Sequence, residues 1–255
     1  MAGCGDEPAP VARNTNDGQV AESMPDTGSP GSSERAQPSD SAVTQKNTLP
    51  KIVAFGDSLT AGFGVAPQDT YPAQLQRRLD AAGYRYLIVN AGVSGDTTAG
   101  GVRRVSWILN ADPYMVILEL GGNDGLRGLN LDQTRANLET IITRLKQAGV
   151  VTVLAGMKLP VNYGADYRAR FESMYRDLAV HHGLLLIPFF LEGVGGDHRL
   201  NQPDGIHPTG EGYRIVADSV FRALEPLLNH KVSNGTGAQT DRSAPTRPGN
   251  RTDRR

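Results

Sequence analysis

Met115-Val-Ile-Leu118 is the most hydrophobic run in the folded part of the chain, and it leads into the polar turn Gly121-Gly-Asn-Asp124. A short apolar run that ends in a Gly-rich turn is typical of a buried strand in a parallel sheet. Four more short runs have the same character. They are Ile52–Phe55, Leu87–Asn90, Val150–Leu154 and Leu184–Ile187. The sequence therefore predicts five strands, with Met115–Leu118 in the buried centre of the sheet.

Apolar residues recur at helical spacing between these strands. The five segments are Pro72–Gly83, Val102–Leu109, Leu138–Gly149, Phe171–Leu178 and Tyr213–Leu224. Asp69-Thr70 and Thr209 precede two of them as start signals. Strands that alternate with helices indicate a doubly wound α/β domain, whose parallel sheet is covered on both faces. Ligands in such folds bind outside the carboxyl ends of the strands, so we look there for function.

The two ends of the chain differ in composition from its middle. Residues 1–48 are rich in Ser, Asp, Glu, Pro and Gly, and residues 231–255 are Ser/Thr/Gly/Pro-rich and basic. Such segments bury too little apolar surface to fold. The sequence thus predicts an N-terminal polar tether, a folded domain over 49–230 and a disordered basic tail. The tail carries no interleaved aromatic residues, so we expect it to bind no nucleic acid.

Cys4 is the one cysteine of the chain, which excludes an internal disulfide. It lies in Ala2-Gly3-Cys4, which resembles the end of a bacterial lipoprotein signal, and a long polar segment follows it. The apolar run that precedes the cysteine in such signals is missing from Met1 onward. Two alternatives stay open: a start site upstream, with Cys4 lipidated as a membrane tether outside the cytoplasm, or a chance likeness in a cytoplasmic protein.

Chemically reactive side chains follow the predicted strands. Ser58 comes directly after the first strand, and Asp204-Gly-Ile-His207 comes after the last. A serine hydroxyl is a weak nucleophile unless a histidine, oriented by a carboxylate, removes its proton. Asp204 and His207 are three residues apart, so one short turn can hold the carboxylate against the imidazole. We predict Ser58 as nucleophile and Asp204–His207 as its base pair, with Ser94 as a rival nucleophile.

The other two polar turns supply hydrogen-bond donors. Asn123 carries a side-chain amide, and Gly95 allows a backbone N–H to approach a ligand closely. Together with the Ser58 N–H they predict a three-donor oxyanion hole. Asp57 and Asp124 are expected to brace their own turns. The G-x-S-x-G elbow of ordinary α/β-hydrolases is absent from the chain.

These four blocks resemble those of the SGNH or GDSL hydrolases, a family named after such residues. Ser58, Gly95, Asn123 and His207 occur in the family's order, with its aspartate at Asp204. Long stretches are similar to the bacterial thioesterase I/lysophospholipase/arylesterase group. They are Glu119–Gly128, Leu159–Gly164, Pro188–Phe190 and Asp204–Pro208. The resemblance implies a flavodoxin-like three-layer fold, hydrolysis of acyl esters and thioesters, and neither metal nor cofactor.

Substrate recognition is less clearly encoded. Apolar side chains near two of the similar stretches are candidates for the wall of an acyl groove, although such residues more often belong to the core. The candidates are the apolar or aromatic residues Leu159, Pro160, Tyr163, Phe189 and Phe190, together with the polar residue Asn162 between them. The expected partner is an ester or thioester, as a small molecule or a lipid, and the protein is expected to be a monomer.

Three other functions stay open. Deacetylation of a polysaccharide is the nearest alternative within the family. A metal phosphoesterase is less well supported, because a two-metal site needs several His and carboxylate ligands and His207 is the one well-placed histidine. A carbohydrate- or lipid-binding module without activity would have no need of the complete set of reactive side chains.

Overall fold

A computed structural model describes residues 49–229 of the chain. The predicted tether, the tail and Cys4 lie outside the described residues. Five parallel strands form one sheet in the order β2-β1-β3-β4-β5. Their bounds are β1 Lys51–Gly56, β2 Leu87–Asn90, β3 Pro113–Glu119, β4 Val151–Ala155 and β5 Leu185–Ile187. This is the strand order of a flavodoxin-like doubly wound sheet, so the predicted fold class is confirmed.

Within residues 49–229, seven α-helices connect and cover the strands. Their bounds are α1 Ser58–Ala61, α2 Tyr71–Ala81, α3 Thr98–Asn110, α4 Gly122–Leu126, α5 Leu131–Gln147, α6 Ala165–His182 and α7 Gly210–Leu224. Short 3-10 turns occur at Pro67–Asp69, Val161–Tyr163 and Glu225–Leu227. Helix α2 packs on α7, while α3, α5 and α6 pack side by side, so the helices form two layers. Within residues 49–229, no helix is long and apolar enough to cross a membrane.

The centre of the sheet is the core of the domain. Strand β3 pairs with β1 on one side and with β4 on the other, and from Met115 to Leu118 every side chain is fully buried. Burial on both faces explains why this strand is a continuous apolar run without polar alternation. The predicted centre of the sheet is therefore confirmed.

Helices α3, α5 and α6 begin four to seven residues before the apolar segments that predicted them, and one expected turn is a helix. Helix α3 begins at Thr98, because the Thr97 side chain accepts a hydrogen bond from the Gly100 N–H and caps it. The Gly-Gly-Asn-Asp segment, expected to be a turn, forms the short helix α4 after Gly121, whose φ is 110°. A left-handed residue at this point is accessible to glycine, and the chain can therefore turn sharply from β3 into α4.

Candidate active site

The polar loops meet at the carboxyl edge of the sheet, as parallel strands require. Ser58 follows β1, Gly95 follows β2, Asn123 follows β3, and the Asp204–His207 loop follows β5. Side chains or backbone from the first three loops and His207 line one open cavity of about 630 Å³. The structure therefore brings together residues that lie up to 149 positions apart in the sequence.

The turn that carries Ser58 is stabilised by its neighbours Asp57 and Gly56. Asp57 caps helix α1 by accepting a hydrogen bond from the Leu59 N–H at 3.0 Å. Gly56 allows Glu119 to approach, because a Cβ at this position would lie 2.4 Å from a Glu119 carboxyl oxygen and 2.7 Å from its carbonyl oxygen. A side chain at residue 56 would thus push β1 away from β3, and the close approach depends on glycine.

Asp204, His207 and Ser58 form a linear hydrogen-bonded chain. His207 Nδ1 lies 2.6 Å from Asp204 Oδ2, and His207 Nε2 lies 2.9 Å from Ser58 Oγ. A carboxylate at Nδ1 requires that this nitrogen carries the proton, so the Nε2 lone pair faces the serine hydroxyl. The arrangement can remove a proton from Ser58 as it attacks a carbonyl carbon.

Backbone hydrogen bonds hold Asp204 in its ionised form. Its Oδ1 accepts from the N–H groups of Ile206 at 2.9 Å and of His207 at 3.0 Å. Although partial burial acts to raise it, these bonds and the His207 side chain lower the pKa of Asp204 to about 2. The carboxylate therefore stays charged across the working range of pH and keeps the imidazole in one tautomer.

Gln202 connects the His207 loop to the segment that follows Ser58. Its side-chain amide donates to the carbonyl oxygens of Phe63 at 2.7 Å and of Pro208 at 3.0 Å, and its own N–H donates to the His207 carbonyl. The Phe63 ring lies with its centroid 4.8 Å from that of His207. These contacts connect the His207 loop to the turn that carries Ser58, and neither Gln202 nor Phe63 was predicted from the sequence as a site residue. An aromatic residue five positions after Ser58 was the one signal.

The three predicted oxyanion donors converge on the same cavity. Within residues 49–229, the N–H groups of Ser58 and Gly95 donate to no other protein group. The Asn123 amide nitrogen donates to Asp57 Oδ2 at 3.1 Å and to the Asp96 carbonyl oxygen at 3.0 Å. Two backbone donors are therefore free to bind an anion, while the Asn123 amide already has two acceptors.

The Gly95 turn is braced by two arginines. Gly95 has a φ of 77°, and its carbonyl accepts a hydrogen bond from Arg127 at 3.0 Å. The next residue, Asp96, pairs with Arg104, whose guanidinium also donates to the carbonyl oxygens of Ala91 and Gly56. Arg104 thus links the second loop to the end of β1, which positions the Gly95 N–H relative to Ser58.

The cavity is lined mainly by apolar side chains. Three of the six candidate groove residues line it, namely Leu159, Pro160 and Phe189. The other three do not. Phe190 is fully buried against Tyr71, the Tyr163 hydroxyl donates to the Leu126 carbonyl at 2.7 Å, and Asn162 is exposed outside the cavity. Lining residues that the sequence did not indicate include Leu126, Met157, Leu191 and Ile206.

Asp124 and Ser94 have different surroundings from Asp57 and Ser58. The Asp124 carboxylate accepts from the N–H and hydroxyl of Thr98 and so connects α4 to the start of α3, beyond its own turn. Ser94 lines the cavity, but among the described residues no histidine contacts its hydroxyl. His207 therefore contacts Ser58 and not the rival serine.

Two buried carboxyl groups, those of Asp57 and Glu119, lie at the turn that carries Ser58. Glu119 is fully buried, and its Oε2 accepts from the Thr60 hydroxyl at 2.8 Å and from the Asp57 N–H at 3.4 Å. Burial raises the pKa of Asp57 to about 6, and burial together with the Asp57 charge raises the pKa of Glu119 well above its usual range. Two raised pKa values at neighbouring carboxyl groups indicate that one of the pair is protonated. We assign this proton to Glu119, because Asp57 accepts hydrogen bonds from two N–H groups, which favour its charged form.

Substitution of Glu119 by Gln is expected to stabilise the protein more at pH 8 than at pH 4.5. A raised native pKa means that the folded state keeps a proton that the unfolded state releases, so the native protein loses stability as pH rises through that pKa. The Gln oxygen can accept from the Thr60 hydroxyl and the Asp57 N–H, as Glu119 Oε2 does, and the amide carries no titrating proton. Thermal unfolding of both proteins across this pH range measures the effect.

The matched control is Glu192→Gln, since Glu192 is exposed. We expect this control to shift the unfolding temperature little and by the same amount at both pH values. A Glu119→Gln shift that does not grow with pH would contradict the assignment of the proton to Glu119.

The model of the GDSL-like lipase/acylhydrolase family matches residues 54–215 of the chain. This range contains Ser58, Gly95, Asn123, Asp204 and His207. The family model thus covers all four loops at the carboxyl edge of the sheet.

Individual proteins with esterase or thioesterase names are similar to the chain over the same region. Esterase TesA of Pseudomonas aeruginosa is 40% identical over 187 residues, which are 73% of this chain and 93% of that protein. Thioesterase 1/protease 1/lysophospholipase L1 of Escherichia coli is 37% identical over 180 residues, 70% of this chain and 85% of the relative. The crystal structure of TesA superposes with a TM-score of 0.68 at 41% identity, covering 70% of this chain and 99% of the other.

Proposed function

The chain belongs to the GDSL-like lipase/acylhydrolase family and is a carboxylic ester hydrolase, and from this premise we propose that it works through an acyl-Ser58 intermediate. The observation that carries the proposal is the contact of His207 Nε2 with Ser58 Oγ at 2.9 Å, backed by Asp204 at 2.6 Å. Acyl esters and thioesters are its substrates.

In the proposed acylation step, Ser58 Oγ attacks the acyl carbonyl carbon as His207 Nε2 takes the hydroxyl proton. The negative charge of Asp204 stabilises the imidazolium that forms, without itself taking the proton. The carbonyl π bond opens, and its electron pair becomes the oxyanion. Collapse of this intermediate expels the alcohol or thiol, which receives the proton from His207 as the bond to it breaks.

Deacylation repeats the step with water as nucleophile. Water enters at the position that the leaving group vacated, gives its proton to His207 Nε2 and adds to the acyl carbon. The second oxyanion then collapses, the bond to Ser58 Oγ breaks, and the proton returns to Ser58. The carboxylic acid leaves and the free enzyme is restored.

The oxyanion is proposed to bind the N–H groups of Ser58 and Gly95 and the Asn123 amide. Both hydrogens of that amide have acceptors in the free protein, one an Asp57 oxygen and the other the Asp96 carbonyl oxygen. Charge-assisted hydrogen bonds are roughly twice as strong as those to neutral acceptors. The oxyanion can therefore displace the neutral Asp96 carbonyl, while Asp57 keeps the amide in place.

The apolar wall of the cavity supports an acyl chain longer than acetyl. Leu126, Met157, Leu159, Phe189 and Leu191 line it beyond the reacting groups. Each methylene that leaves water contributes about 0.8 kcal/mol, which is up to about fourfold in kcat/KM. We therefore expect kcat/KM to rise from p-nitrophenyl acetate to p-nitrophenyl butyrate and octanoate. We expect the coenzyme A thioesters of the same acyl groups to be hydrolysed as well.

Active-site labelling tests the proposal together with this profile. A butyl p-nitrophenyl phosphonate should add one phosphonyl group per chain, and peptide mass mapping should locate it on Ser58. Label on Ser94 or no label at all would overturn the proposed nucleophile. Acetyl esters as the best substrates would contradict the acyl-chain proposal and favour polysaccharide deacetylation.

A further inference from the structure

We propose that Glu139, His181 and His182 form a binding site for one borderline divalent transition-metal ion such as Zn²⁺. Glu139 lies on α5, and the two histidines form the last turn of α6. None of the three lines the active-site cavity. The proposed site is therefore separate from the hydrolytic chemistry.

The ligand atoms already converge. His181 Nε2 lies 3.8 Å and His182 Nε2 lies 3.5 Å from the same carboxyl oxygen of Glu139, and the three ligand atoms all fall within 4.8 Å of one another. Zinc bound to nitrogen and oxygen at about 2.0–2.1 Å in tetrahedral geometry separates its ligands by about 3.3 Å. The three ligand atoms thus need to approach one another by between a few tenths of an ångström and about 1.5 Å to bind one ion.

The more exposed side chains can make this adjustment. The side chains of His181 and Glu139 are 66% and 40% exposed, while that of His182 is 11% exposed and acts as the fixed ligand. The two imidazole rings are nearly perpendicular, with centroids 4.8 Å apart. Perpendicular rings direct their Nε2 atoms without steric overlap, so both can reach one ion.

Among the described residues, His182 Nε2 lacks a hydrogen-bond partner. Its Nε2 is buried and no hydrogen bond to it is present among the described residues, although the Glu139 oxygen is nearby. A buried polar atom without a hydrogen bond is uncommon and costs stability, and a metal ion would satisfy it.

Charge at the site both favours and limits binding. The C-terminal end of α6 carries a partial negative charge, which attracts cations, and Glu139 adds a full one. The positive charge of Lys146 opposes cation binding, because its ammonium group lies at the site and donates to the His182 carbonyl oxygen at 3.0 Å. One carboxylate and two imidazoles suit zinc or a neighbouring first-row metal better than Mg²⁺ or Ca²⁺, which prefer oxygen ligands.

Isothermal titration of the whole protein with Zn²⁺ tests the site. His181→Gln, His182→Gln and Glu139→Gln are each expected to weaken the binding event by about tenfold or more. His198→Gln is the matched control, because His198 is an exposed loop histidine outside the group. His181→Gln changes an exposed residue, so its result does not depend on the packing around His182.

Two further readouts distinguish this site from binding at Asp204–His207. The substituted proteins should keep wild-type hydrolysis of p-nitrophenyl butyrate in metal-free buffer. Co²⁺ should give the wild type a visible absorption band that is lost in His181→Gln and kept in His198→Gln. Zinc binding and cobalt spectra that are the same in wild type and all three variants would overturn the proposal.

Discussion

Ser58→Ala is expected to lower kcat for p-nitrophenyl butyrate by roughly 10⁴–10⁶-fold while the fold is unchanged. Removal of the nucleophile in serine hydrolases removes the covalent route, and the remaining rate comes from binding and oxyanion stabilisation alone. The loss corresponds to about 5–8 kcal/mol of transition-state stabilisation. Initial rates with the purified proteins in the presence of EDTA measure it.

Ser94→Ala is the matched control for this experiment. Ser94 lines the same cavity and is the other serine at the edge of the sheet, but it lies outside the hydrogen-bonded chain of Asp204 and His207. We expect its kcat to stay within a few-fold of the wild type. A large loss in Ser94→Ala with activity kept in Ser58→Ala would assign the nucleophile to Ser94 instead.

The fold could be predicted from the sequence because each strand is a separate apolar run with its own turn. Leu87–Asn90 agrees with the observed strand at both ends, and the other four strands agree within two residues. Helix starts were harder to place where a side chain caps the helix far from its apolar face. Thr97 caps α3 five residues before Val102, the first residue of the apolar pattern.

That Ser58, Asp204 and His207 lie at one edge of the sheet could also be predicted from the sequence, since the carboxyl ends of parallel strands share one edge. The contacts that hold these side chains in place could not be predicted from the sequence. Glu119 belongs to the apolar central strand, and nothing in the one-dimensional pattern shows that its carboxyl group turns under Asp57. The contact of Gln202 with Phe63 crosses 139 positions, so it depends on the final docking of two loops.

The individual residues of the predicted acyl groove could not be identified from the sequence either. Phe189 and Phe190 are adjacent and chemically alike, but the first lines the cavity and the second packs against Tyr71 in the core. Adjacent residues after a strand point in different directions, and only the path of the loop decides which one faces the ligand. Composition near a motif therefore indicates an apolar pocket but not its individual wall residues.

Asp204→Asn is expected to lower kcat more than Asp204→Ala does, by roughly 10³–10⁴-fold against 10²–10³-fold. The Asn oxygen can accept from the Ile206 and His207 N–H groups, as Asp204 Oδ1 does. Its amide would then donate to His207 Nδ1 and move the imidazole proton to Nε2. The Nε2 atom would donate to Ser58 and could not act as base, and the same exchange costs serine proteases about 10⁴ in kcat.

Alanine removes the carboxylate without imposing the wrong tautomer. The Asp204 side chain is 39% exposed, so water can enter the space and accept the Nδ1 proton, which leaves the Nε2 lone pair towards Ser58. The rate then loses the electrostatic stabilisation of the imidazolium but keeps a usable base. Single-turnover rates with p-nitrophenyl butyrate compare the two variants. Equal losses would mean that Asp204 acts mainly through its charge, whereas a larger loss in Asn shows that it acts by selecting the tautomer of His207.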